Sequence, residues 1–330
     1  MIPNSNSTES IPSHFLVRFD RNEDFVGRET VLEQLLKRFP PRADPNACQR
    51  TVVEGLGGIG KTQVAIKAAY RVREAHRDYS VFWVPAVDIT MFKNAYRAIG
   101  RALRVKGIKD DKADVKALVK AALSRDETGP WLFIINIDNA TLLRDGQLPL
   151  YLPFSRQGSI LFTTRNHQAA ARLQPRQGVF RLGQLSDLES EQLLHQGLQP
   201  SQVSDSHSTT ALLEYLTYLP LAIKQASAYM ALHERVTVAK YMHSYQSSDQ
   251  NMIQILSKDF EDPDRYKEIG NAIAATWLVS QYTSITAHPQ LLRYREDVLY
   301  VSFSKVKPSS DRDIAPDFAK PLDGQLLREG

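Results

Sequence analysis

Apolar positions along this chain follow two periods, and their alternation predicts an architecture. From Glu29 to Phe39, Val31, Leu32, Leu35, Leu36 and Phe39 recur at helical spacing and leave Glu33, Gln34, Lys37 and Arg38 on the other face. The run PPRADPNA at 40–47 ends that helix. Short β-rich runs then alternate with helical patterns. Thr51–Glu54, Ser80–Val87, Trp131–Ile137, Ser159–Thr164 and Val179–Leu182 read as strands. Between them, a helix to about His76 turns Val64, Ala65, Ala68, Ala69 and Val72 inward, and two more span Met91–Leu103 and Ala113–Leu123. WLFIINI and SILFTT are nearly continuous apolar runs, as strands are when helices cover both faces of a parallel sheet. The alternation predicts an α/β fold, a doubly wound three-layer α/β/α parallel sheet.

At Ser186 the pattern changes. Ser186-Asp187-Leu188-Glu189 is a capping box, with the Ser positioned for the exposed amides and the Glu three residues on. Helical patterns follow at 186–198, 208–218, 220–233, 236–246 and 264–281, predicting a smaller all-α part. The expected organisation is therefore a polar leader over 1–20, an α/β domain over 21–185, a helical subdomain over 186–260, and a region over 261–330 in which 285–330 lack clear periodicity. No repeat of 20–50-residue period is present.

Composition narrows the possibilities. At 330 residues, two or three domains are expected. Hydrophobic residues at 42% and charged residues at 24% are globular proportions and exclude a disordered or collagen-like chain. No apolar stretch approaches the roughly 18 residues of a membrane span, and MIPNSNSTESIPSH lacks the basic flank and apolar run of a signal peptide. A soluble cytoplasmic protein with no membrane partner is expected. The single cysteine, Cys48, excludes a disulfide framework and a cysteine zinc site. Lys and Arg number 41 against 37 Asp and Glu, and the formal +4 is too mild to call for nucleic acid.

The candidate chemistry lies between the first strand and its helix. Gly55-Leu56-Gly57-Gly58-Ile59-Gly60-Lys61-Thr62 satisfies the phosphate-loop pattern G-x-x-x-x-G-K-[ST] in the strand-to-helix context that it requires. Glycines let backbone amides curl around phosphate oxygens. The helix N-terminus adds exposed N–H groups and partial positive charge. Lys61 is placed to reach the β and γ phosphates and the Thr62 hydroxyl to ligate Mg²⁺. A P-loop NTPase that binds ATP or ADP with Mg²⁺ is the expectation. Asp138, closing WLFIINID, is the candidate carboxylate for Mg²⁺, and Asp138 and Lys61 are the candidate catalytic residues. Asn139 follows where a second acid would activate water, so hydrolysis is expected to be slow unless Asp145 or a partner supplies one. Arg165 ends SILFTTR on the ligand side of such a sheet, in reach of a γ-phosphate. His167 and His195 read as surface residues, and Asn136 inside the strand has no explanation at this level.

Taken in order, the phosphate loop, LFIINIDNA (132–140), GSILFTTRN (158–166) and Leu219-Pro220-Leu221-Ala222 resemble the NB-ARC domain of NOD-like, STAND-class P-loop NTPases. Phe25-Val26-Gly27-Arg28-Glu29 looks like the family's segment beside adenine and ribose, and Ala275-Thr276-Trp277-Leu278 resembles the winged-helix start of fungal members with tetratricopeptide arrays. The resemblance implies that Val26, Gly27 and Arg28 line the adenine side. It implies that Gly55, Gly57, Gly58, Ile59, Gly60, Lys61, Thr62 and Gln63 hold the phosphates. Asp138 matches the Walker B aspartate, Arg165 the sensor arginine, and Pro220 the proline that packs on nucleotide in the closed state. It makes 186–260 ARC1-like and 261–330 a partial or degenerate winged-helix region and tail. Asn139 and Thr141 depart from the family's acids, no switch histidine is found, and the lack of room for repeats or an effector leads one to expect a truncated or spliced product. The implied function is an ADP/ATP-binding switch in NOD-like, innate-immunity-like signalling, with slow or no hydrolysis and with self-association or signalling partners. The alternatives are a non-switching ADP-holding adaptor and a turning-over ATPase.

Overall fold

The computed structural model describes residues 13–39, 48–86, 88–137, 147–173 and 178–246. Six strands lie in one sheet: β1 (Phe15–Leu16), β2 (Gln49–Glu54), β3 (Ser80–Pro85), β4 (Trp131–Ile137), β5 (Gly158–Thr164) and β6 (Val179–Arg181). Their spatial order is β1-β3-β4-β5-β2-β6 and every pairing is parallel. Helices α1 (Glu29–Leu36), α2 (Lys61–Ala75), α3 (Ile89–Ala102), α4 (Val115–Leu123), α5 (Gln147–Tyr151) and α6 (His167–Arg172) belong to this layered part. Four more follow: α7 (Asp187–His195), α8 (Ser206–Tyr215), α9 (Pro220–Leu232) and α10 (Val238–Gln246). The fold is the α/β parallel sheet that the alternation predicts.

Strand parity divides the core. On β4, Leu132 and Ile134 pack with Val64, Ala65 and Ala68 of α2, whereas Trp131, Phe133 and Ile135 pack with Phe92 and Tyr96 of α3 and Val119 of α4. Both faces are covered, which is why every residue of β4 and β5 is buried. The α2 face does not end with the sheet. Leu185, Leu193, Leu212 and Ile223 belong to the same apolar cluster as Val53 and Leu161, so the change of character at Ser186 marks the start of a helical region without interrupting the core. The predicted capping box forms: Ser186 Oγ accepts from the Glu189 amide, and a Glu189 carboxylate oxygen accepts from the Ser186 amide at 2.9 Å.

Two differences from the sequence reading concern the edges. Residues 13–20, expected within a leader, are built into the fold: Phe15–Leu16 pairs with β3 through Val81 and Phe82, and Phe19 is buried against Trp83. Two extended residues are too few to display a period, and the neighbouring sheet edge imposes their conformation. The pattern also missed α5 and α6, which are short. The helix predicted over 264–281 and the whole of 285–330 lie outside the described residues. Among the described residues no helix is long and apolar enough to cross a membrane.

Candidate functional site

The sheet delivers the glycine loop to the C-terminal ends of its central strands, where ligands gather in open α/β sheets. β2 ends at Glu54 and α2 begins at Lys61, with the loop between them. Gly58 (φ 77°) and Gly60 (φ 94°) take left-handed backbone conformations that side chains disfavour. A Cβ at Gly55 would sit 2.8 Å from the Leu182 carbonyl oxygen, whereas one at Gly60 would meet nothing within 4 Å. The loop is thus pressed against β6's exit at its start and open at its end. α2 has no side-chain cap and no acid in its first turn, so its leading amides are left for an anion. Lys61 is 7% exposed, and its ammonium donates to the carbonyls of Gly55 and Leu56 at 2.8 Å each, which holds the cation beneath the loop.

Around this loop lies a cleft to which widely separated parts of the chain contribute. It is lined by Gly58 to Val64, by Asn22, Asp24, Phe25, Val26 and Arg28, by Asn136 and Arg165, and by Leu185, Leu193, Pro220, Leu221 and Lys224. Of the residues singled out from sequence, it gathers Val26, Arg28, Gly58, Ile59, Gly60, Lys61, Thr62, Gln63, Arg165 and Pro220. Gly27, Gly55 and Gly57 are not in its lining. Asp138 lies outside the described residues, and so do Asn139, Thr141 and Asp145. Among the described residues the lining carries four cations (Arg28, Lys61, Arg165, Lys224) against one acid (Asp24), which suits a polyanion. Apolar Val26, Leu185, Leu193, Pro220 and Leu221 supply a surface for a flat base. These residues fit a nucleoside di- or triphosphate: a glycine cradle with amides to spare, a buried ammonium and an apolar wall.

Gly27 has another task. Gly27 (φ 68°) and Arg28 (φ 62°) are consecutive left-handed residues, and the Arg28 amide donates to a Glu189 carboxylate oxygen at 2.7 Å. A Cβ on Gly27 would collide with that carboxylate. The Arg28 guanidinium donates to the carbonyls of Gln184 (3.0 Å) and Gly183 (2.6 Å). Burial works against ionisation of Glu189. The Ser186 amide, the Arg28 amide, the Ser186 hydroxyl and the Arg28 charge together outweigh it, holding the carboxyl below its ordinary value. A single carboxylate therefore caps α7 and fixes the turn that carries two lining residues.

A second tie crosses the cleft. The Leu221 amide, in the first turn of α9, donates to the Gly58 carbonyl at 3.2 Å. Pro220 stands at the start of that helix, where its missing N–H costs nothing. It is preceded by Thr217 and Tyr218, both at φ 52°. Left-handed conformations cost such residues about 1–2 kcal/mol each.

Several lining residues were not found from sequence. Asn136 lies on β4 opposite Thr163 of β5, whose hydroxyl donates to its side-chain oxygen at 3.1 Å, and parity places it on the α2 face. A polar residue within a wholly buried strand was the available signal. Asn22, which donates to Gln63 Oε1 at 2.8 Å, fell in a segment with no periodicity. Leu193 and Lys224 look like ordinary core and solvated helix positions. His167 is exposed, as expected, and meets Glu54 at 3.0 Å.

Comparison with known proteins agrees with this geometry. The model of the NB-ARC domain matches residues 28–204, more than half of the chain. A nucleotide-binding leucine-rich repeat (NLR)-like protein from Hyaloscypha variabilis is 40% identical over 323 residues, covering 93% of this chain and 32% of that protein. The chain thus spans about a third of that relative's length. Among solved structures, the STAND protein with a tetratricopeptide repeat sensor from Pyrococcus horikoshii aligns with 82% of this chain and 41% of its own, at 18% identity and a TM-score of 0.40. Drosophila ORC bound to DNA aligns with 74% and 67%, at 12% identity and a TM-score of 0.48. At these scores neither structure bears on what this chain binds.

Proposed function

This chain belongs to the NB-ARC family, and from that premise we propose that it is an ADP/ATP-binding molecular switch with slow or no hydrolysis. The observation that carries the reading is the Leu221–Gly58 hydrogen bond, because it places the first turn of a helix from the helical region against the glycine loop itself. A ligand that pushes on the loop pushes on α9. Lys61, Arg165 and the α2 amides would hold the phosphates, Thr62 and Asp138 would hold Mg²⁺, and Val26, Arg28 and Pro220 would flank the base. Mg²⁺ would supply neutralisation of phosphate charge. Moving a two-state equilibrium from 1:99 to 99:1 needs about 5.5 kcal/mol of differential binding. Hydrogen bonds to charged groups contribute about 1.5–3 kcal/mol each, so two or three contacts to a γ-phosphate are enough. The relative's NLR-like character supports a signalling role with protein partners or self-association.

The test is direct. Ligand released from purified protein should be ADP in near-stoichiometric amount, and Lys61→Ala should lose tight ADP binding while keeping its cooperative thermal transition. Hydrodynamic radius should differ between ADP and a non-hydrolysable ATP analogue. Turnover near or above about 1 s⁻¹ would assign an ordinary ATPase instead. An identical radius in both ligands would leave an ADP-holding adaptor. Retention of ADP affinity by Lys61→Ala would overturn the nucleotide site.

A further inference from the structure

The mild +4 of the whole chain conceals a concentration of charge. Between Lys93 and Arg125 stand ten Lys or Arg against three acids, Asp110, Asp111 and Asp114. That segment is +7, so the rest of the chain sums to −3. It forms the α3–α4 layer on the sheet face away from α2. Phe92, Tyr96 and Ile99 of α3 and Val115, Val119 and Leu123 of α4 turn inward, which sends the cations outward. Lys93, Arg97 and Arg101 recur every four residues, about 6 Å apart along the helix. Lys116 and Lys120 repeat the spacing on α4, and Lys112 stands in the turn that leads into it. Like charges at that spacing repel and weaken the helix that carries them.

Local partners relieve only part of this. Arg97 lies 3.5 Å from Asp111, Lys120 donates to the Leu150 carbonyl at 2.7 Å, and the Lys116 ammonium lies 3.9 Å from the centre of the Tyr151 ring. Lys93, Arg101, Arg104, Lys106, Lys109 and Lys112 are exposed and form no ion pair among the described residues. Large apolar side chains accompany them. Ile89 is 55% exposed and begins the same four-residue row as Lys93; Leu150 is 63% and Phe154 53% exposed. The latter two lie along the charged side of α4, since Lys120 binds the Leu150 carbonyl and the Phe154 amide donates to Ser124 Oγ at 3.0 Å. Half of the six exposed large apolar residues among those described thus belong to this one layer.

We propose that the α3–α4 layer is a docking surface for a negatively charged lipid bilayer. Cations attract the anionic headgroups, and Ile89, Leu150 and Phe154 provide the apolar insertion that charge alone lacks, so both signals needed for stable attachment are present. A nucleic acid would use the charges and leave those three side chains in water. None of the surface's residues lines the nucleotide cleft, so the inference is independent of what the cleft binds.

The experiment is vesicle co-sedimentation of the full chain, with phosphatidylcholine alone and with about 30% phosphatidylserine added, alongside a short duplex DNA. Binding to the anionic vesicles only is expected. It should fall steeply as salt rises from about 0.1 M, where screening already acts over about 10 Å. Neutralising Lys93→Gln, Arg101→Gln and Lys109→Gln together should weaken it about a hundredfold, at about fivefold per charge. Leu150→Ser with Phe154→Ser should weaken it several-fold at unchanged salt dependence. An unchanged melting temperature identifies folded variants. Equal binding to both vesicle types, or indifference to the triple substitution, would overturn the proposal. So would DNA binding without vesicle binding, which would assign the surface to nucleic acid.

Discussion

Glu189 offers the sharpest test of how this cleft is built. Its carboxylate accepts from the Ser186 amide and hydroxyl at 2.9 Å each and from the Arg28 amide at 2.7 Å. Loss of a helix cap costs about 1 kcal/mol, and a hydrogen bond to a charged group contributes about 1.5–3 kcal/mol, nearer the lower figure for a half-exposed carboxylate. Glu189→Ala should therefore lose about 2–3 kcal/mol, a fall in melting temperature of about 2–4 °C per kcal/mol for a domain of this size. Gly27→Ala should reproduce much of that loss, because the new Cβ would evict the same carboxylate from the Arg28 amide and add left-handed strain. The double variant should then cost distinctly less than the sum of the two, since the contact can be removed only once. Strict additivity would refute the shared-contact reasoning. The ligand readout separates positioning from general damage. Glu189→Ala should raise the dissociation constant for ADP about tenfold, equivalent to about 1.4 kcal/mol, and leave that for inorganic tripolyphosphate unchanged, because the Arg28 turn is not part of the phosphate loop. Equal losses for both ligands would show that Glu189 only stabilises the fold.

The sign of the pH dependence follows from the same contacts. The folded-state pKa of Glu189 lies below its ordinary 4.5, so its stabilisation is fully present above that value and is lost as pH falls through the lower folded value. The stability difference between wild type and Glu189→Gln should be constant above about pH 5.5 and shrink below about 4.5. A difference that grows with acidification would contradict the assignment.

Arg165→Ala should weaken ATP more than ADP, measured by calorimetric titration of each; equal losses would remove a γ-phosphate role. Asn136→Leu leaves the buried Thr163 hydroxyl without the acceptor it has now, and should cost about 1–3 kcal/mol in denaturant unfolding. Thr217→Gly should gain about 1 kcal/mol by removing left-handed strain ahead of Pro220, and a lower unfolding midpoint would show that side-chain contacts of Thr217 outweigh the strain.

What the sequence displays and what it hides divide along the distance between partners. β4 and β5 were legible because burial on both faces leaves an unbroken apolar run, and the glycine loop because its geometry is encoded in eight adjacent residues. Glu189 was half legible: its bond to Ser186 spans three positions and has a known signature, whereas its bond to Arg28 spans 161 and has none. Asn136 declared itself as an anomaly, but only the register of β4 on β5 supplies Thr163 as its partner. Arg28 shows the same limit from the other side. Sequence placed it beside the cleft, yet a guanidinium bound to the Gly183 and Gln184 carbonyls is also a strut between α1 and the approach to α7. The net charge failed for a related reason, since a sum over 330 positions cannot show that ten cations share one layer. Three long-range ties, Arg28 to Glu189, Gln196 to Asp24 and Leu221 to Gly58, each join a lining segment to the helical region. On the proposed reading, a perturbation of any of these ties is expected to change nucleotide affinity and the seating of the helices together, which is the coupling that a switch would require.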